Sequence, residues 1–354
     1  MKFLCLLSPT KALAEKSCKE FTASSNHKIA ALAKPRSILL ERAQELKQSE
    51  IKSMMKLSDS LAKLNYDRYQ TFENQPTYPA GWLFDGPSFQ KLNIHDFSDE
   101  ELDRLDSSLC ILSGLYGFLR PKDPMQPYRL EMGTRLAVND ETKNLYEFWK
   151  QHGLTKQVAE FAASEEDEKR CILNCASQEY SKVLDFAELR GKENDLQVVD
   201  VVFQAANGGR MASVFAKQAR GMFVRYVAKA NPTSLESLQG FTGDGHYVFA
   251  SQSDDKVVFE RHATPQSDGD EALWGGTVAT TTKPVAGTKS TAPTKKAKKV
   301  PAKKKAKSAS LAKKDSKPRK TAAAGKRGTD NKHEEEQVPS SKRRRSTRVA
   351  KGKS

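Results

Sequence analysis

The sequence predicts a folded body of mixed α and β structure, followed by a disordered basic tail. Three observations support this: short apolar runs typical of strands, longer segments with apolar residues at helical spacing, and a change in charge near Lys283. With 354 residues, of which 37% are hydrophobic, the chain has ample material for a core. It has no apolar run long enough to span a bilayer, so we expect no membrane partner.

Strands are predicted where β-branched or aromatic runs are bounded by polar residues. Phe3–Leu7 and Val199–Phe203 are such runs, and Tyr247–Ser251 and Val257–Arg261, separated by a polar turn, predict a hairpin. Strands and helices do not alternate in a regular βαβ order, and neither a GxGxxG nor a GxxxxGK[ST] motif is present. The sequence therefore does not favour a nucleotide-binding fold.

Helices are predicted between these strands. Ile38–Leu46 has apolar residues at helical spacing. Ser98 followed by Glu101 is a capping box, and it predicts a helix that runs toward Leu112.

The helix predicted over Phe215–Ala228 has two different faces. Lys217, Arg220 and Arg225 fall on a face opposite the apolar one, which suits binding to phosphate. The alternative is an ordinary solvated surface. The apolar face contains Phe215, Ala219, Met222, Phe223 and Tyr226.

Two short helical patterns lie within Glu50–Phe72 and meet at Leu57–Ser60. A tight turn between two helices can present backbone N–H groups to a phosphate. An ordinary helical pair is the alternative. The basic residues around the join are Lys52, Lys56, Lys63 and Arg68.

The segment Leu112–Leu136 combines glycines and prolines with Arg120, Arg129 and Arg135. Glycine permits close backbone approaches and proline stiffens a loop, so the arginines could be held toward an anionic ligand. The alternative is a structural loop whose arginines pair with Asp123 and Glu131.

The basic tail accounts for all of the positive balance of the chain. Residues 283–354 contain 25 Lys and Arg against 5 Asp and Glu, whereas the preceding residues contain 34 against 39. A chain of this composition cannot bury a core, and its charge suits nucleic acid. The dense clusters resemble nuclear localisation signals, and the first also resembles linker-histone tails. They predict DNA and the nuclear import machinery as partners, and a location in the nucleus, with the cytoplasm as a second location. The cluster residues are Lys295, Lys296, Lys298, Lys299, Lys303, Lys304, Lys305, Lys342, Arg343, Arg344 and Arg345.

The five cysteines form no CxxC pair, and they indicate a reducing compartment. Cys171 and Cys175 could ligate a metal, but no further Cys or His lies at zinc-site spacing. We therefore expect inert thiols, no metal and no cofactor.

Several motifs together resemble the YaaA peroxide-stress family, in the order of that family and over nearly all of residues 1–262. They are Ser8-Pro9-Thr10-Lys11, LSDSLAKLN, the Leu112–Leu136 block, LYEFW, LNCASQEY, FAKQARG and LQGFTGDGHYV. The resemblance implies one compact α+β domain with a basic cleft and a helix-hairpin-helix element at Leu57–Asn65. It also implies binding of duplex, bubbled and branched DNA and a role in protection against oxidative damage. Residues 263–354 have no counterpart in the compact bacterial members.

The resemblance and the basic patterns above yield one set of candidate DNA-binding residues and no catalytic residue. An enzyme that acts on a phosphate-containing substrate at Ser8, Lys11 and the arginine loop is the alternative function. A redox or iron-linked role through the cysteines ranks below it. The candidate DNA-binding residues are Lys11, Lys52, Lys56, Lys63, Arg120, Arg129, Arg135, Lys217, Arg220 and Arg225.

Overall fold

A mostly parallel sheet of seven strands lies at the centre of the protein, flanked by helices. The computed structural model describes residues 1–17, 30–163, 170–192, 194 and 196–264. The basic clusters of the predicted tail lie outside the described residues. The helices are α1 (Ala30–Gln44), α2 (Gln48–Met55), α3 (Asp59–Gln70), α4 (Ala80–Leu83), α5 (Pro87–Leu92), α6 (Asp99–Ser108), α7 (Leu145–Gln151), α8 (Leu154–Ala163), α9 (Gln178–Ser181), α10 (Phe186–Leu189) and α11 (Ser213–Ala230).

The strand order in the main sheet is β4-β3-β1-β6-β7-β9-β8. The four central pairings, from β3 to β9, are parallel, and the two edge pairings are antiparallel. A separate antiparallel pair is formed by β2 and β5. The strands are β1 (Lys2–Leu7), β2 (Tyr78–Pro79), β3 (Leu109–Ser113), β4 (Gly117–Leu119), β5 (Pro124–Met125), β6 (Arg170–Asn174), β7 (Gln197–Ala205), β8 (Tyr247–Ser253) and β9 (Lys256–Arg261).

The central strands are buried on both faces. In β1 every residue from Phe3 to Leu7 is buried, and β3 is buried throughout. Parallel strands covered by helices on both sides carry continuous apolar runs of this kind rather than alternating ones. The prediction of a mixed α and β domain is confirmed, whereas the parallel arrangement was not evident from the order of the predicted elements.

Most of the predicted elements are present. The hairpin near the end of the body forms β8 and β9, each longer than predicted. The helix predicted over Ile38–Leu46 lies mostly within α1, and the two patterns between Glu50 and Phe72 form α2 and α3. None of the helices in the described residues is both long and apolar enough to span a membrane.

One predicted helix ends earlier than its sequence suggested. The capping box is present: Ser98 Oγ accepts the Glu101 N–H, and a Glu101 carboxylate oxygen accepts the Ser98 N–H. The helix nevertheless stops at Ser108, and Leu109–Ser113 forms β3. A short apolar run suits either structure, and here the parallel pairing with β1 decides in favour of a strand.

The chain reverses its direction of travel across the sheet between β1 and β6. After β1 it moves to β3 and β4 on one side, then returns to β6, β7 and β9 on the other side. In open parallel sheets, ligands bind outside the carboxyl ends of the strands at such a reversal. The loops that follow β1 and β6 are therefore the first place to look for a functional site.

Helix α11 packs closely against α5. A Cβ atom at Gly221 would overlap the backbone of Ser88, so this crossing requires a glycine. In addition, Ser88 Oγ donates a hydrogen bond of 2.8 Å to the Lys217 carbonyl. These contacts fix the amino-terminal half of α11 beside the loop that follows β1.

Candidate functional site

A cleft of about 480 Å³ opens at the reversal point of the sheet, and we call it the inner cleft. Its walls come from the loops after β1 and β6, the start of α5, the segment after β5, and α11. The polar and charged residues that line it are Ser8, Thr10, Lys11, Asp85, Ser88, Gln90, Tyr128, Arg129, Glu131, Ser177, Glu179, Tyr180, Lys217 and Arg220.

Two serines join the ends of β1 and β6 at the floor of the inner cleft. Ser8 Oγ accepts the Ser177 N–H at 2.8 Å and donates to Ser177 Oγ at 3.1 Å. Ser8 directly follows β1, and Ser177 lies three residues beyond the end of β6. The parallel pairing of the two strands therefore brings together two residues that are far apart in sequence. The Ser177 hydroxyl proton is left available to a ligand.

The segment from Tyr128 to Val138 supplies one wall through alternating burial. Its even-numbered residues are buried, whereas its odd-numbered residues are half-buried or exposed. An extended backbone directs successive side chains to opposite sides. Arg129 and Glu131 consequently line the inner cleft, while Gly133 and Arg135 line a second depression beside it.

Two of the cleft cations share one carboxylate. Lys11 Nζ lies 3.2 Å and Arg129 Nε 3.0 Å from Glu131 Oε1. The Glu131 side chain is only 14% exposed, so its charge is held in place by the two cations. The alternative of arginines paired within the loop is thus correct for Arg129.

The two cations that α11 contributes have no such partner. In the described part of the chain, neither Lys217 nor Arg220 forms an ion pair or a side-chain hydrogen bond. Arg220 is half-buried, and desolvation lowers the pKa of its guanidinium. A buried unpaired charge is costly, and an anion that enters the cleft removes that cost.

The second depression, the outer groove, has a volume of about 770 Å³. Its charged lining residues are Arg42, Glu50, Lys56 and Arg135. Arg42 pairs with Glu45 at 3.1 Å, whereas Lys56 and Arg135 have no ion-pair partner among the described residues.

Lys56 occupies the turn between α2 and α3. It adopts a left-handed conformation, with φ 53°, and thereby ends α2. Ser58 Oγ then accepts the Leu61 N–H and caps the start of α3. The two predicted helices and their tight turn are confirmed.

Two further lysines of this helical pair form surface ion pairs. Lys52 lies 2.7 Å from Asp59, and Lys63 lies 2.6 Å from Asp67. All four side chains are substantially exposed, and such pairs contribute little and exchange readily. Neither lysine lines the outer groove.

Two candidate arginines lie away from both depressions. Arg225 is 3% exposed, forms an ion pair with Asp96, and donates to the carbonyls of Leu92 and Asn93 at 3.2 Å each. The prediction of an exposed basic face was wrong for this residue, because α5 and the turn after it cover that side of α11.

Arg120 likewise has a structural environment. Its guanidinium forms an ion pair with the buried Asp106, and its backbone N–H donates to Asp123 at 2.7 Å. The other Asp123 oxygen has no hydrogen-bond partner among the described residues, and burial raises the pKa of this carboxyl to about 7. Arg120 thus has the structural role of the loop alternative, but its guanidinium pairs with Asp106 rather than with the predicted Asp123, which contacts only its backbone N–H.

The cysteines that the structure describes are reduced and buried. Burial raises the pKa of the Cys110 thiol, and it raises that of Cys171 to about 12. A thiolate is the reactive form of cysteine, so these thiols are poorly suited to redox chemistry or metal binding.

The sequence did not reveal the contributions of Ser177, Asp85 and Glu179 to the inner cleft. Ser177 could have been found from its place just after the apolar run Cys171–Leu173, had the parallel sheet been recognised. Asp85 lies in none of the quoted motifs, and Glu179 lies in LNCASQEY without a pattern that assigns it to a cleft, since each reaches the cleft only through the packing of its own loop or helix.

Comparisons with known proteins identify relatives across the folded part of the chain. The family model described as peroxide stress protein YaaA matches residues 3–252. A UPF0246 protein of Legionella pneumophila strain Lens is 40% identical over 252 residues, covering 70% of this chain and 93% of the relative. A UPF0246 protein of Psychrobacter sp. strain PRwf-1 is 35% identical over 274 residues, covering 74% of this chain and 99% of the relative.

Proposed function

Because the chain belongs to the peroxide stress protein YaaA family, we propose that it binds duplex and structured DNA through the inner cleft and the outer groove. Binding to DNA would place the protein at a target that peroxide damages, where it serves the peroxide stress response.

The observation that carries this proposal is a set of four cations in the two depressions that have no ion-pair partner in the described part of the chain. Lys217 and Arg220 lie in the inner cleft, and Lys56 and Arg135 in the outer groove. The other six candidate cations have carboxylate partners. Unpaired cations in adjoining concave surfaces attract phosphates, since field lines concentrate in a cleft.

The arrangement suits the DNA backbone rather than base sequence. Phosphate contacts position a protein on DNA and carry no sequence information directly. The outer groove, with the tight turn of α2 and α3 beside it, would hold the DNA backbone, and the adjoining inner cleft would take the part of a bent or branched strand that departs from it. We therefore expect recognition of DNA shape, with the exposed pairs of Lys52 and Lys63 able to exchange a carboxylate for a phosphate.

The basic tail would add affinity for DNA and a nuclear import signal. Its clusters at Lys295–Lys307 and Lys342–Arg348 would neutralise phosphates irrespective of DNA structure, and import receptors would read them as a nuclear signal. In this proposal the tail increases the affinity for DNA and directs the protein to the nucleus, whereas the folded part distinguishes one DNA structure from another.

The test uses the full-length chain with twenty of the 25 lysines and arginines of residues 283–354, including the eleven cluster residues named above, changed to glutamine, so that the remaining five balance the five acidic residues and the tail is neutral. Its binding to duplex, bubble and junction DNA is measured across a salt series, before and after the double substitution Arg135→Gln and Lys56→Gln. Each lost phosphate contact should reduce the slope of log K against log salt by about 0.9. We expect weaker binding and a slope reduced by about two such contacts.

The matched control is the double substitution Lys150→Gln and Lys156→Gln. These lysines are 75% and 71% exposed, lie in neither depression, and change the net charge equally. The control should leave the slope unchanged. A chain with a neutral tail that binds no DNA at low salt would refute the proposal, as would equal losses in the two double variants.

Catalysis on a phosphate-containing substrate is a second candidate, favoured by the position of Ser8 at the reversal point of the sheet. Lys11 and Arg129 lie with Ser8 in the inner cleft, but Arg120 and Arg135 do not. In the described residues no histidine or carboxylate contacts Ser8 Oγ, so a base to activate it is missing from the arrangement. Formation of a product from bound DNA or nucleotide would favour this candidate.

A further inference from the structure

The inner cleft differs from the outer groove in its balance of charge. Besides its four cations it contains three carboxylates, Asp85, Glu131 and Glu179. The outer groove has three cations and only Glu50. A surface that follows a run of phosphates would not place three carboxylates among its cations, because each would repel the backbone.

The free positive charge of the inner cleft is concentrated on one wall. Lys11 and Arg129 share the single carboxylate of Glu131, so the two cleft cations without an ion-pair partner among the described residues are Lys217 and Arg220. They lie three residues apart on α11 and therefore on one side of the helix. This wall can hold one anionic group in a charge-assisted contact.

The remaining walls offer hydrogen-bond acceptors and apolar surface. Carboxylate oxygens of Asp85 and Glu179 can accept from hydroxyl or amino groups. Ring surfaces of Phe84, Tyr128 and Tyr180 contribute to the lining. A ligand that matches all walls has one anionic group, several hydrogen-bond donors and a flat apolar part.

The volume of the inner cleft sets the size of such a ligand. At about 480 Å³, it falls within the range of about 300 to 1,000 Å³ typical of sites for single small molecules. A double helix does not fit, whereas one nucleotide has the required size, phosphate, amino groups and flat ring.

The two depressions adjoin along one stretch of chain. Arg129 and Glu131 face the inner cleft, and Gly133 and Arg135 face the outer groove, on the same exposed side of the segment. The Gly133 N–H also donates to Glu179 Oε1 at 3.3 Å, which joins the rims of the two. A strand on the outer groove thus lies next to the mouth of the inner cleft.

We infer that the inner cleft binds a single unpaired nucleotide turned out of the DNA strand that the outer groove holds, with its phosphate on Arg220 and Lys217. This inference rests on the proposed DNA binding. It predicts a preference for bubbled over fully paired DNA, because an unpaired nucleotide enters without the cost of breaking a base pair.

The test uses bubble DNA with the fluorescent base 2-aminopurine at one unpaired position, and the full-length chain with the neutral tail. Removal of the base from its stacked neighbours should raise its fluorescence when the protein binds. Arg220→Gln should abolish this rise while duplex affinity falls by no more than about tenfold, the equivalent of about 1.4 kcal/mol for one charge-assisted contact.

The matched variant is Arg135→Gln in the outer groove. It should weaken binding to duplex and bubble alike but preserve the fluorescence rise at saturating protein. We expect both variants to fold, because neither arginine has an ion-pair or side-chain hydrogen-bond partner among the described residues. Circular dichroism and thermal unfolding would check this.

The outcomes separate the inference from the proposal beneath it. DNA binding with no fluorescence rise, or a rise that survives Arg220→Gln, overturns the nucleotide site and leaves DNA binding intact. Absence of any DNA binding overturns both. A free deoxynucleoside monophosphate that binds in an Arg220-dependent way, with no rise on bubble DNA, overturns the inference in favour of a small-molecule site.

Discussion

Helix α11 carries two arginines, Arg220 and Arg225, in opposite environments. Arg225 is buried, paired with Asp96 and bonded to two backbone carbonyls. Arg220 is half-buried and lines the inner cleft, without a partner in the described residues. The same residue type on the same helix therefore stabilises the fold at one position and is available to a ligand at the other.

The difference teaches that a basic residue is informative about function only when its partners are known. The interior region includes Arg225 with Asp96 and Arg120 with Asp106, whose charges are paired within the fold, and Asp123, whose negative charge burial disfavours. The cleft region includes Lys217 and Arg220, for which the residues that the structure describes provide no ion-pair partner. Substitutions should therefore affect stability in the first region and binding in the second.

The sharpest test of this comparison substitutes the two arginines in the same way. Arg225→Gln leaves Asp96 and two carbonyls without their donor and should lower the free energy of unfolding by about 3 to 5 kcal/mol. Arg220→Gln should change it by less than about 0.5 kcal/mol. Chemical denaturation measures both, and equal losses would mean that the two arginines share a structural role.

The pH dependence of stability tests the interior region again, through Asp123. Burial raises the pKa of this carboxyl from 3.8 to about 7, so between these pH values the folded state binds a proton that the unfolded state has released. The contribution of Asp123 is most favourable below about pH 4, and it is lost as the pH rises to about 7.

Replacement of Asp123 with asparagine should remove this loss. The variant should gain roughly 4 kcal/mol relative to the parent between pH 4 and pH 8, at about 1.4 kcal/mol per pKa unit. Urea denaturation at several pH values measures the difference. If the difference in the free energy of unfolding between variant and parent does not change with pH, the carboxyl has the same pKa in the folded and unfolded states, and burial does not raise it.

The close crossing of α11 and α5 is at Gly221, between Arg220 of the cleft region and Arg225 of the interior region. Gly221→Ala would push a methyl group into the backbone of Ser88, and overpacking of this kind costs about 2 kcal/mol. Because Ser88 also holds the Lys217 carbonyl, the variant should lose DNA affinity as well as stability. Gly153→Ala provides a contrast without overlap, since nothing lies within 4 Å of its added Cβ.

The Gly153→Ala variant has its own cost, because Gly153 has φ 69°, a backbone conformation that is strained for a residue with a side chain. It should therefore lose stability, by roughly 1 kcal/mol, while it preserves DNA affinity. Loss of affinity in both variants would show that destabilisation alone, rather than displacement of α11, weakens binding.

Two serines test the comparison at its smallest scale. Ser177→Ala in the inner cleft removes one hydrogen bond and should cost about 1 kcal/mol or less. Ser113→Ala in the interior removes bonds to Tyr128 and to the Tyr116 N–H, and it should cost about 2 kcal/mol because buried groups lose their partners. Thermal unfolding compares the two losses of stability. A larger loss for Ser177→Ala than for Ser113→Ala would mean that the cleft serines mainly stabilise the fold.

Much of the local structure could be predicted from the sequence. The capping box at Ser98 and Glu101, the α2 and α3 pair and the β8–β9 hairpin each depend on residues near one another in the chain. The strand at Leu109–Ser113 could not be assigned, because its apolar run matches either state and its partner β1 lies about a hundred residues earlier.

The candidate site was predicted only in part. Lys11, Arg129, Lys217 and Arg220 do lie together in the inner cleft. Helical periodicity placed Arg225 on the same face as Arg220, but it carries no information about which neighbouring helix covers that face. Whether a cation is free depends on a carboxylate that is usually distant in sequence, as Asp96 is from Arg225.

The sequence by itself determined the mixed α and β composition of the body, the concentration of positive charge after Lys283 and the family motifs, because these depend on composition and local order. The tertiary structure alone decided that Ser8 meets Ser177 and which of the candidate cations are neutralised. The physical reason is that hydrogen bonds and ion pairs act over a few ångströms in space, and only the packed sheet and helices set those distances.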